Sequence, residues 1–251
     1  MKYLIWTTNY RHDAGGLKVL HHFCHQLNEA GQEAYVSCPV TNPAWNESHH
    51  APPLEGDWTA IYPETICGNP WNAPRVVRWV LNVPGHLGGD KVYDPAELVF
   101  VWHPMFMEAP PDRMLMLPTY DLRTYVDRHQ RRRGAVFYVG KDQQRRKMPR
   151  ATEITRRVKR NARLLSNILN RAGVLYTFDN VTGMADLSRL CGCRVIVIPD
   201  GQHTREQIVD DGVGWDEMPP PFDSAAFRAR IVGQMETFRG QLANFIRITQ
   251  A

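Results

Sequence analysis

The 251-residue sequence predicts an α/β protein in which strands and helices alternate through two successive units. The first observation is a buried strand from Lys2 to Asn9, followed by apolar residues at helical spacing from Leu17 to Ala30. The second is a return to strand from Gly31 to Pro39, after Gly31 ends the helix. The third is the strong strand Gly134 to Lys141, which opens another such series. These patterns predict two Rossmann-like domains facing a central cleft.

The rest of the first half continues the alternation of an open parallel sheet. Thr41 to Glu55 is rich in Pro, Asn and His and is expected to form a surface loop. Thr59 to Glu64 is an apolar strand that ends in an acid. Asn72 to Leu81 is interpreted as a helix. Two further strands are predicted, Glu97 to His103 and Arg113 to Asp121.

The second half is again α/β, and we place the domain boundary between residues 130 and 131. Its elements follow in order. After the opening strand we expect a short strand (Ala151 to Arg156), a helix (Asn161 to Ala172), a strand (Val174 to Asn180), a helix (Gly183 to Leu190), a strand (Cys193 to Gly201) and a final helix (Asp223 to about Ile248).

The bulk composition is that of an ordinary globular protein, with 43% hydrophobic and 22% charged residues. The apolar start of the chain meets charged residues at once and carries no small-residue cleavage site, so we interpret it as a strand and not as a signal peptide. No apolar run approaches the length that spans a bilayer. The 5 cysteines are odd in number, and Cys191 and Cys193 are too close for an ordinary disulfide. A reduced, cytoplasmic setting is expected.

The net charge of +4 conceals a strong asymmetry. From Arg131 to Arg163 there are thirteen Lys and Arg residues against two acids, Asp142 and Glu153, which gives a local charge of 13 − 2 = +11. The remainder of the chain therefore sums to 4 − 11 = −7. This concentration favours a phosphate-bearing ligand, either a nucleotide diphosphate or a polynucleotide backbone.

The Gly140-Lys141 turn follows a strand directly and is the second unit's first candidate site. Ligands of open α/β sheets bind at the carboxyl ends of strands, where Lys141 with Arg145 or Arg146 would neutralise a pyrophosphate. A solvated basic helix face explains other cations of this region, but it fits these residues and Lys147 less well. Which of the four cations contacts phosphate stays open.

Two other strand-to-helix turns carry candidate residues. Gly15 and Gly16 let the backbone of the first turn approach a ligand, although any tight turn of this kind can need glycine. In the run from Asp179 to Thr182, the polar residues either cap the following helix or hydrogen bond to a sugar, ribose or phosphate.

Several other polar and aromatic residues have either a structural or a functional interpretation. His21 and His25 lie one helical turn apart, but with no third ligand evident we interpret them as structural and predict no metal site. Glu64, at a strand end, is a candidate base for an acceptor hydroxyl. Trp79 is assigned to the core. Three tryptophans in expected loops are candidates for an aromatic platform: Trp45, Trp58 and Trp71.

Four segments resemble, in chain order, parts of the GT-B glycosyltransferases. Asp13 to Val36 resembles their amino-terminal Gly-Gly loop and helix. Ile61 to Gly85 looks like the Pro-Glu, Gly-Asn-Pro and Arg-Trp-x-Leu-Asn pattern of a compact subgroup similar to glycosyltransferase family 4. Val136 to Lys141 resembles the strand and basic loop that open the donor domain, and Tyr176 to Gly201 resembles the donor-site segment.

The resemblance implies an acceptor domain at residues 1–130 and a donor domain at 131–251, with the final helix returning to the first domain. It implies transfer of a sugar from a nucleotide diphosphate sugar to an acceptor hydroxyl. No metal or other cofactor is expected, because basic side chains and helix amino termini stabilise the leaving diphosphate. The implied catalytic residues are Glu64, Lys141 and Arg146. The implied donor-binding residues are Gly140, Lys141, Asp179, Asn180, Thr182 and Asp186. Gly15 and Gly16 are expected on the acceptor side.

One position departs from the family pattern. Many retaining members carry a second acid eight positions after the first, where it binds the donor ribose; counted from Asp179 this position is Leu187, with Asp186 as its neighbour. The acceptor is open among a glycan, a lipid-linked sugar and DNA carrying modified bases. The alternative to an enzyme is a non-catalytic module that binds a nucleotide sugar or a nucleic acid.

Overall fold

A computed structural model describes residues 1–141, 147–201 and 203–251. The chain divides into two compact units. The first contains Met1–Thr119 together with Gly233–Ala251, and the second contains Tyr120–Val232. The long last helix therefore contributes its first residues to the second unit and the rest to the first. Among the described residues no helix is both long and apolar enough to cross a bilayer.

The first unit is built on a six-stranded sheet in which every pair of neighbouring strands is parallel. Its strands are β1 (Lys2–Ile5), β2 (Glu33–Val36), β3 (Ser48–His49), β4 (Trp58–Pro63), β5 (Arg75–Val80) and β6 (Leu98–Val101). The order across the sheet is β3-β2-β1-β4-β5-β6. This is the strand order of the Rossmann fold, and the order reverses between β1 and β4.

The second unit holds a five-stranded parallel sheet of order β8-β7-β9-β10-β11. Its strands are β7 (Ala135–Tyr138), β8 (Ala151–Glu153), β9 (Val174–Thr177), β10 (Arg194–Val197) and β11 (Val213–Trp215). This order is the other common doubly wound arrangement, with its reversal between β7 and β9. The predicted fold class, an α/β protein of two Rossmann-like units, is confirmed.

The helices have the following bounds: α1 (Gly15–Glu29), α2 (Arg156–Lys159), α3 (Ala162–Arg171), α4 (Gly183–Leu190), α5 (Arg205–Ile208) and α6 (Ser224–Thr249). In the first unit, α1 and the carboxyl-terminal part of α6 cover one face of the sheet. Phe23 of α1 packs with its ring centroid 4.6 Å from that of Trp79 on β5 and 5.1 Å from that of Phe245 on α6. Burial of such aromatic side chains contributes about 2–3 kcal/mol each before entropy is counted.

Among the residues that the structure describes, loops and not helices cover the opposite face of the first sheet. Trp6 stacks on Trp71 with centroids 4.9 Å apart, and Trp71 lies 5.0 Å from Tyr62 of β4. Both tryptophans pack against the buried cluster on this face. The sheet thus buries both faces although the connections from β4 to β5 and from β5 to β6 contain no helix among the described residues.

The predicted helix from Asn72 to Leu81 is wrong, because these residues contain strand β5. Val77 and Trp79 are buried on the side of the sheet that α1 covers, while Val76 packs on the other side. A strand that is buried on both faces lacks the two-residue alternation that distinguishes a half-buried strand from a helix.

The predicted strand from Arg113 to Asp121 is also wrong. A 3₁₀ turn covers Pro111–Arg113, and only an isolated bridge joins Met114 to Val101. The backbone amide of Met116 donates to Oε1 of Gln241 at 2.8 Å and not to a neighbouring strand. Pro118 then removes a further donor, so a ladder cannot continue through it.

Candidate functional site

Gly140 and Asp179 lie side by side at the reversal point of the second sheet. Strands β7 and β9 are neighbours, with Tyr138 opposite Thr177, so the residues that follow each strand meet at the same carboxyl edge. A Cβ atom placed on Gly140 would lie 2.3 Å from the Cβ of Asp179. Gly140 also has φ +62°. Glycine is therefore required here both by the backbone conformation and by the close approach of the two chains.

Lys141 brings a positive charge to this edge. Its Nζ lies 3.7 Å from Oδ1 of Asp179 and donates a hydrogen bond to the carbonyl oxygen of Val181 at 3.1 Å. The Lys141 side chain is 43% exposed, while that of Asp179 is 7% exposed. Burial raises the pKa of Asp179 above its usual value, against the opposing effects of Lys141 and Lys159. The result is a half-exposed ammonium group beside a buried carboxyl group.

Lys159 is a second cation that the sequence did not single out. Its Nζ donates to the hydroxyl of Tyr138 at 2.8 Å and lies 5.2 Å from the centroid of that ring. Tyr138 ends β7, so Lys159 is held near the same edge as Lys141 and acts electrostatically on Asp179. In the sequence it is one lysine within a run of arginines, and nothing there distinguishes it. Arg146, predicted as a catalytic cation, lies outside the described residues, as does Arg145.

Thr177 and Asn180 fix the turn that carries Asp179. The Thr177 hydroxyl accepts from the Asp179 amide at 3.1 Å and donates to the Asp179 carbonyl oxygen at 2.9 Å. The Asn180 side chain donates to the carbonyl oxygen of Ile198 at 2.8 Å, and its Oδ1 accepts from the amide of Asp200 at 3.0 Å. Asn180 therefore joins the ends of β9 and β10. Its predicted contact with a donor stays a prediction.

Thr182 caps α4, the function that the sequence offered as one of two alternatives. Its hydroxyl oxygen accepts from the amide of Met184 at 3.3 Å. In the same helix both carboxylate oxygens of Asp186 are engaged. One accepts from the Tyr120 hydroxyl, and the other lies 2.5 Å from the guanidinium of Arg189. Burial raises the pKa of Tyr120 well above its usual value, and the carboxylate adds to this effect. A ribose contact for Asp186 stays a prediction.

Asp200 and His203 form a pair after β10, at the carboxyl edge of the same sheet. Nδ1 of His203 lies 3.1 Å from Oδ2 of Asp200, and the His203 amide donates to Oδ1 at 3.2 Å. The sequence interpretation missed this pair. The sequence feature that could have identified the pair is an acid and a histidine three residues apart, directly after the Val-rich strand.

In the first unit, Gly15 and Gly16 begin α1. The capping position, Ala14, supplies no side-chain hydrogen bond to the first turn. A Cβ atom on either glycine would meet nothing within 4 Å. These glycines are therefore not required by a left-handed conformation or by close packing, and they leave the start of the helix open and exposed.

Glu64 follows β4 and is buried, with 3% exposure. Its Oε2 accepts a hydrogen bond from the amide of Leu81 at 2.9 Å, which ties the end of β4 to the end of β5. Burial and the charge of Glu64 raise the pKa of the neighbouring Tyr93 to about 12. The carboxylate thus has a structural partner, and its role as a base stays a prediction.

Arg78, within β5, is fully buried beside this region. Its guanidinium makes two hydrogen bonds of 2.9 Å with Glu97 and lies between the rings of Tyr62 and Tyr93, at 5.3 and 5.1 Å from their centroids. It also donates to the carbonyl oxygens of Ile66 and Gly68. Arg78 therefore fastens the loop after β4 to the sheet, a function that its position in an expected helix concealed.

His21 has a structural function. Nδ1 lies 2.9 Å from Oε2 of Glu47, and Nε2 lies 2.9 Å from the carbonyl oxygen of Thr8. Burial lowers the pKa of His21, but hydrogen bonds with Cys38, Glu47 and Thr8 outweigh it and raise the value to about 9. Within residues 1–141, 147–201 and 203–251, no cluster of three His, Cys, Asp or Glu side chains has the geometry of a metal site.

The candidate aromatic platforms lie in different settings. Trp58 begins β4 and is 3% exposed, so its expected placement in a loop is wrong. Trp71 packs with Trp6 against the buried face of the sheet. Trp45 lies in the loop before β3 and stacks on His22 with ring centroids 4.7 Å apart. Trp79 is in the core, as predicted.

Comparison with known proteins adds little to this geometry. No protein-family model matches the chain. No curated protein matches it either. Among solved structures, it is similar to Spinosyn Forosaminyltransferase SpnP with 13% sequence identity and a TM-score of 0.43, covering 97% of this chain and 93% of that one. A TM-score of 0.43 is too low to assign a fold or a function, so the fold assignment rests on the strand orders.

Proposed function

We propose that the chain binds a nucleotide diphosphate sugar at the carboxyl edge of the second sheet and transfers the sugar to an acceptor hydroxyl. The observation that supports this most directly is the half-exposed ammonium group of Lys141 beside Gly140 and Asp179 at the strand-order reversal. Reversal points are where open α/β sheets bind their ligands. The resemblance of Tyr176 to Gly201 to a donor-site segment gives the proposal its reaction class.

The charge at this edge suits a diphosphate. An ammonium group has three donors, and Lys141 directs one of them to the Val181 carbonyl oxygen. Its exposed side can donate to a phosphate oxygen without losing that bond. Lys159 adds a second positive charge, and Arg146 is proposed as a third. Charge-assisted hydrogen bonds to phosphate are about twice as strong as neutral ones.

The reaction follows from this placement. The acceptor oxygen forms a bond to the anomeric carbon while the bond from that carbon to the diphosphate oxygen breaks. The proton of the acceptor hydroxyl passes to a base, for which Glu64 is the proposed residue. The electron pair stays on the diphosphate, where Lys141 and Arg146 stabilise the developing charge without a metal ion. Gly15 and Gly16 are proposed to contact the acceptor.

The remaining proposed donor contacts have unequal support. Asp179 is rigidly held by Thr177 and lies against Gly140, so it is suited to position a hydroxyl group of the donor. Asn180 and Asp186 already make hydrogen bonds within the unit, and a ligand would share their oxygens. Thr182 is proposed to act through the amino terminus of α4 that it caps.

The test is calorimetric titration with nucleoside diphosphates, comparing the unsubstituted protein with Lys141→Ala. Loss of one charge-assisted bond costs about 1.5–3 kcal/mol, which corresponds to a ten- to hundredfold weaker affinity. Lys91→Ala is the matched control, because Lys91 is an exposed lysine of the first unit and its loss changes the net charge equally. Equal affinity of Lys141→Ala and the unsubstituted protein, or no affinity for any nucleoside diphosphate, would refute the proposed site.

Turnover is tested separately by incubating the protein with a panel of nucleotide sugars and candidate acceptors. Release of nucleoside diphosphate in the presence of an acceptor supports the enzyme. Binding without release under every acceptor instead supports the non-catalytic module. The acceptor classes are a glycan, a lipid-linked sugar and DNA carrying modified bases. The local charge of +11 favours DNA among them.

A further inference from the structure

The outward face of α3 carries a row of polar side chains spaced by one helical turn. Arg163, Asn167 and Arg171 follow each other at four-residue intervals and are all exposed. Residues at this spacing lie on one face of a helix. With a rise of 1.5 Å per residue, the two arginines are about 12 Å apart along the axis.

Two arginines from the preceding segment widen this row. Arg128 donates to Oδ1 of Asn167 and, at 3.2 Å, to the hydroxyl of Ser166. The backbone amide of Arg133 donates to the carbonyl oxygen of Arg171 at 2.7 Å, which places Arg133 at the end of α3. Both Arg128 and Arg133 are exposed. We call the four arginines, Arg128, Arg133, Arg163 and Arg171, the α3 basic face.

The four arginines of the α3 basic face differ in ion pairing from several other arginines of the second unit. In the part of the chain that the structure describes, no carboxylate pairs with any of its four arginines. Four other arginines of the second unit do have such partners. Arg132 pairs with Asp127 at 2.6 Å, Arg189 with Asp186, and Arg205 and Arg230 also have carboxylate partners.

We propose that the α3 basic face binds the phosphate backbone of double-stranded DNA. Arg163 and Arg171, about 12 Å apart along one helix, can contact two phosphates of the duplex, and their charge complements a polyanion. The α3 basic face contains none of the residues proposed to bind the donor, and the inference does not depend on the proposed sugar transfer. Double-stranded DNA is then the macromolecule that the second unit binds.

The composition of α2 and α3 argues against other polyanions. From Arg156 to Arg171 there is no aromatic side chain, whereas single strands are held by stacking of bases on aromatic rings. Leu164, 42% exposed, is the one large exposed apolar side chain of α3, which is too little to insert into a lipid surface. RNA duplexes are recognised by their shape and by contacts with 2′-hydroxyl groups as well as phosphates, while this face offers mainly charge.

The experiment measures fluorescence anisotropy of a short labelled DNA duplex over a range of salt concentrations. We expect binding at low salt, with affinity that falls steeply as salt is added. Arg163→Gln combined with Arg171→Gln removes two phosphate contacts. It should weaken binding roughly tenfold or more and reduce the slope of log affinity against log salt by about 2.

The matched control is Arg239→Gln combined with Arg247→Gln. These exposed arginines of α6 have the same spacing of eight residues, and their loss changes the net charge equally. The control should bind DNA like the unsubstituted protein. Thermal unfolding and nucleoside diphosphate affinity are measured for both double variants, and neither should change, so failure of the DNA surface is distinguished from misfolding and from failure of the donor site.

Several results would overturn the inference. The first is absence of DNA binding at low salt, and the second is an unchanged salt slope in the Arg163/Arg171 double variant. The third is a preference for an RNA duplex or for vesicles containing phosphatidylserine over DNA, which would assign the face to a different partner.

Discussion

Replacing Gly140 by alanine tests the close approach on which the candidate site depends. The new Cβ would lie 2.3 Å from the Cβ of Asp179, an atom attached directly to backbone, so rotation of a side chain cannot relieve the contact. Gly134→Ala is the matched control. Gly134 has φ +68°, close to the +62° of Gly140, but a Cβ there meets nothing within 4 Å.

The two variants separate conformational strain from the contact. A left-handed conformation costs alanine about 1–2 kcal/mol, and this applies to both Gly134 and Gly140. Overpacking adds about 1–3 kcal/mol, and this applies to Gly140 alone. We therefore expect Gly140→Ala to destabilise the second unit by about 2 kcal/mol more than Gly134→Ala does.

The assay is hydrogen exchange followed by mass spectrometry on peptides that cover β7 and β9, because it reports the opening free energy of this unit and not of the whole chain. Lys141 and Asp179 flank the new methyl group, so affinity for nucleoside diphosphates should also fall in Gly140→Ala and stay unchanged in Gly134→Ala. Equal opening free energies in the two variants would refute the reasoning, since they would show that the contact with Asp179 has no energetic cost.

Two predictions concern the first unit. Hydrogen bonds with Cys38, Glu47 and Thr8 raise the pKa of His21 to about 9 in the folded protein from an ordinary 6.5. Together these contacts of the protonated ring stabilise the protein fully below pH 6.5, and this stability, about 3 kcal/mol, is lost as the pH rises through 9. Urea unfolding of the unsubstituted protein and of His21→Gln should show this difference, and identical pH dependence in the two would contradict it. Arg78→Lys keeps the charge but loses the paired hydrogen bonds with Glu97, so it should cost about 1.5–3 kcal/mol in the same assay, whereas a cost below about 1 kcal/mol would show that the guanidinium geometry is dispensable.

Much of the fold was predictable because its signals are local. The glycine that ends α1 and the apolar runs of β1 and β7 identify these elements within a few residues of their bounds. Strand β5 could not be predicted, because a strand buried on both faces has the same composition as a buried helix. Arg78 made the assignment harder, since a charged residue in such a run suggests the solvent face of a helix, whereas its charge is paired inside the protein.

The candidate site was predictable in its parts but not in its assembly. Gly140 and Asp179 were each identified as residues that follow a strand, but the sequence does not say that β7 and β9 are neighbours. Lys159 and the pair of Asp200 and His203 depend on contacts that no local pattern reports. Such residues are found only when the strand order is known.

The first unit is formed from two separate segments of the chain, and this affects the order in which the two units fold during synthesis. Phe238, Leu242 and Phe245 complete its core, and the hydroxyl of Tyr3 hydrogen bonds to that of Thr249 at 2.7 Å. These partners are translated long after β1 and α1, so the core between them stays incomplete until α6 emerges. The second unit, although encoded later than β1, contains its own elements in one continuous stretch. It is therefore expected to reach its native state on the ribosome first.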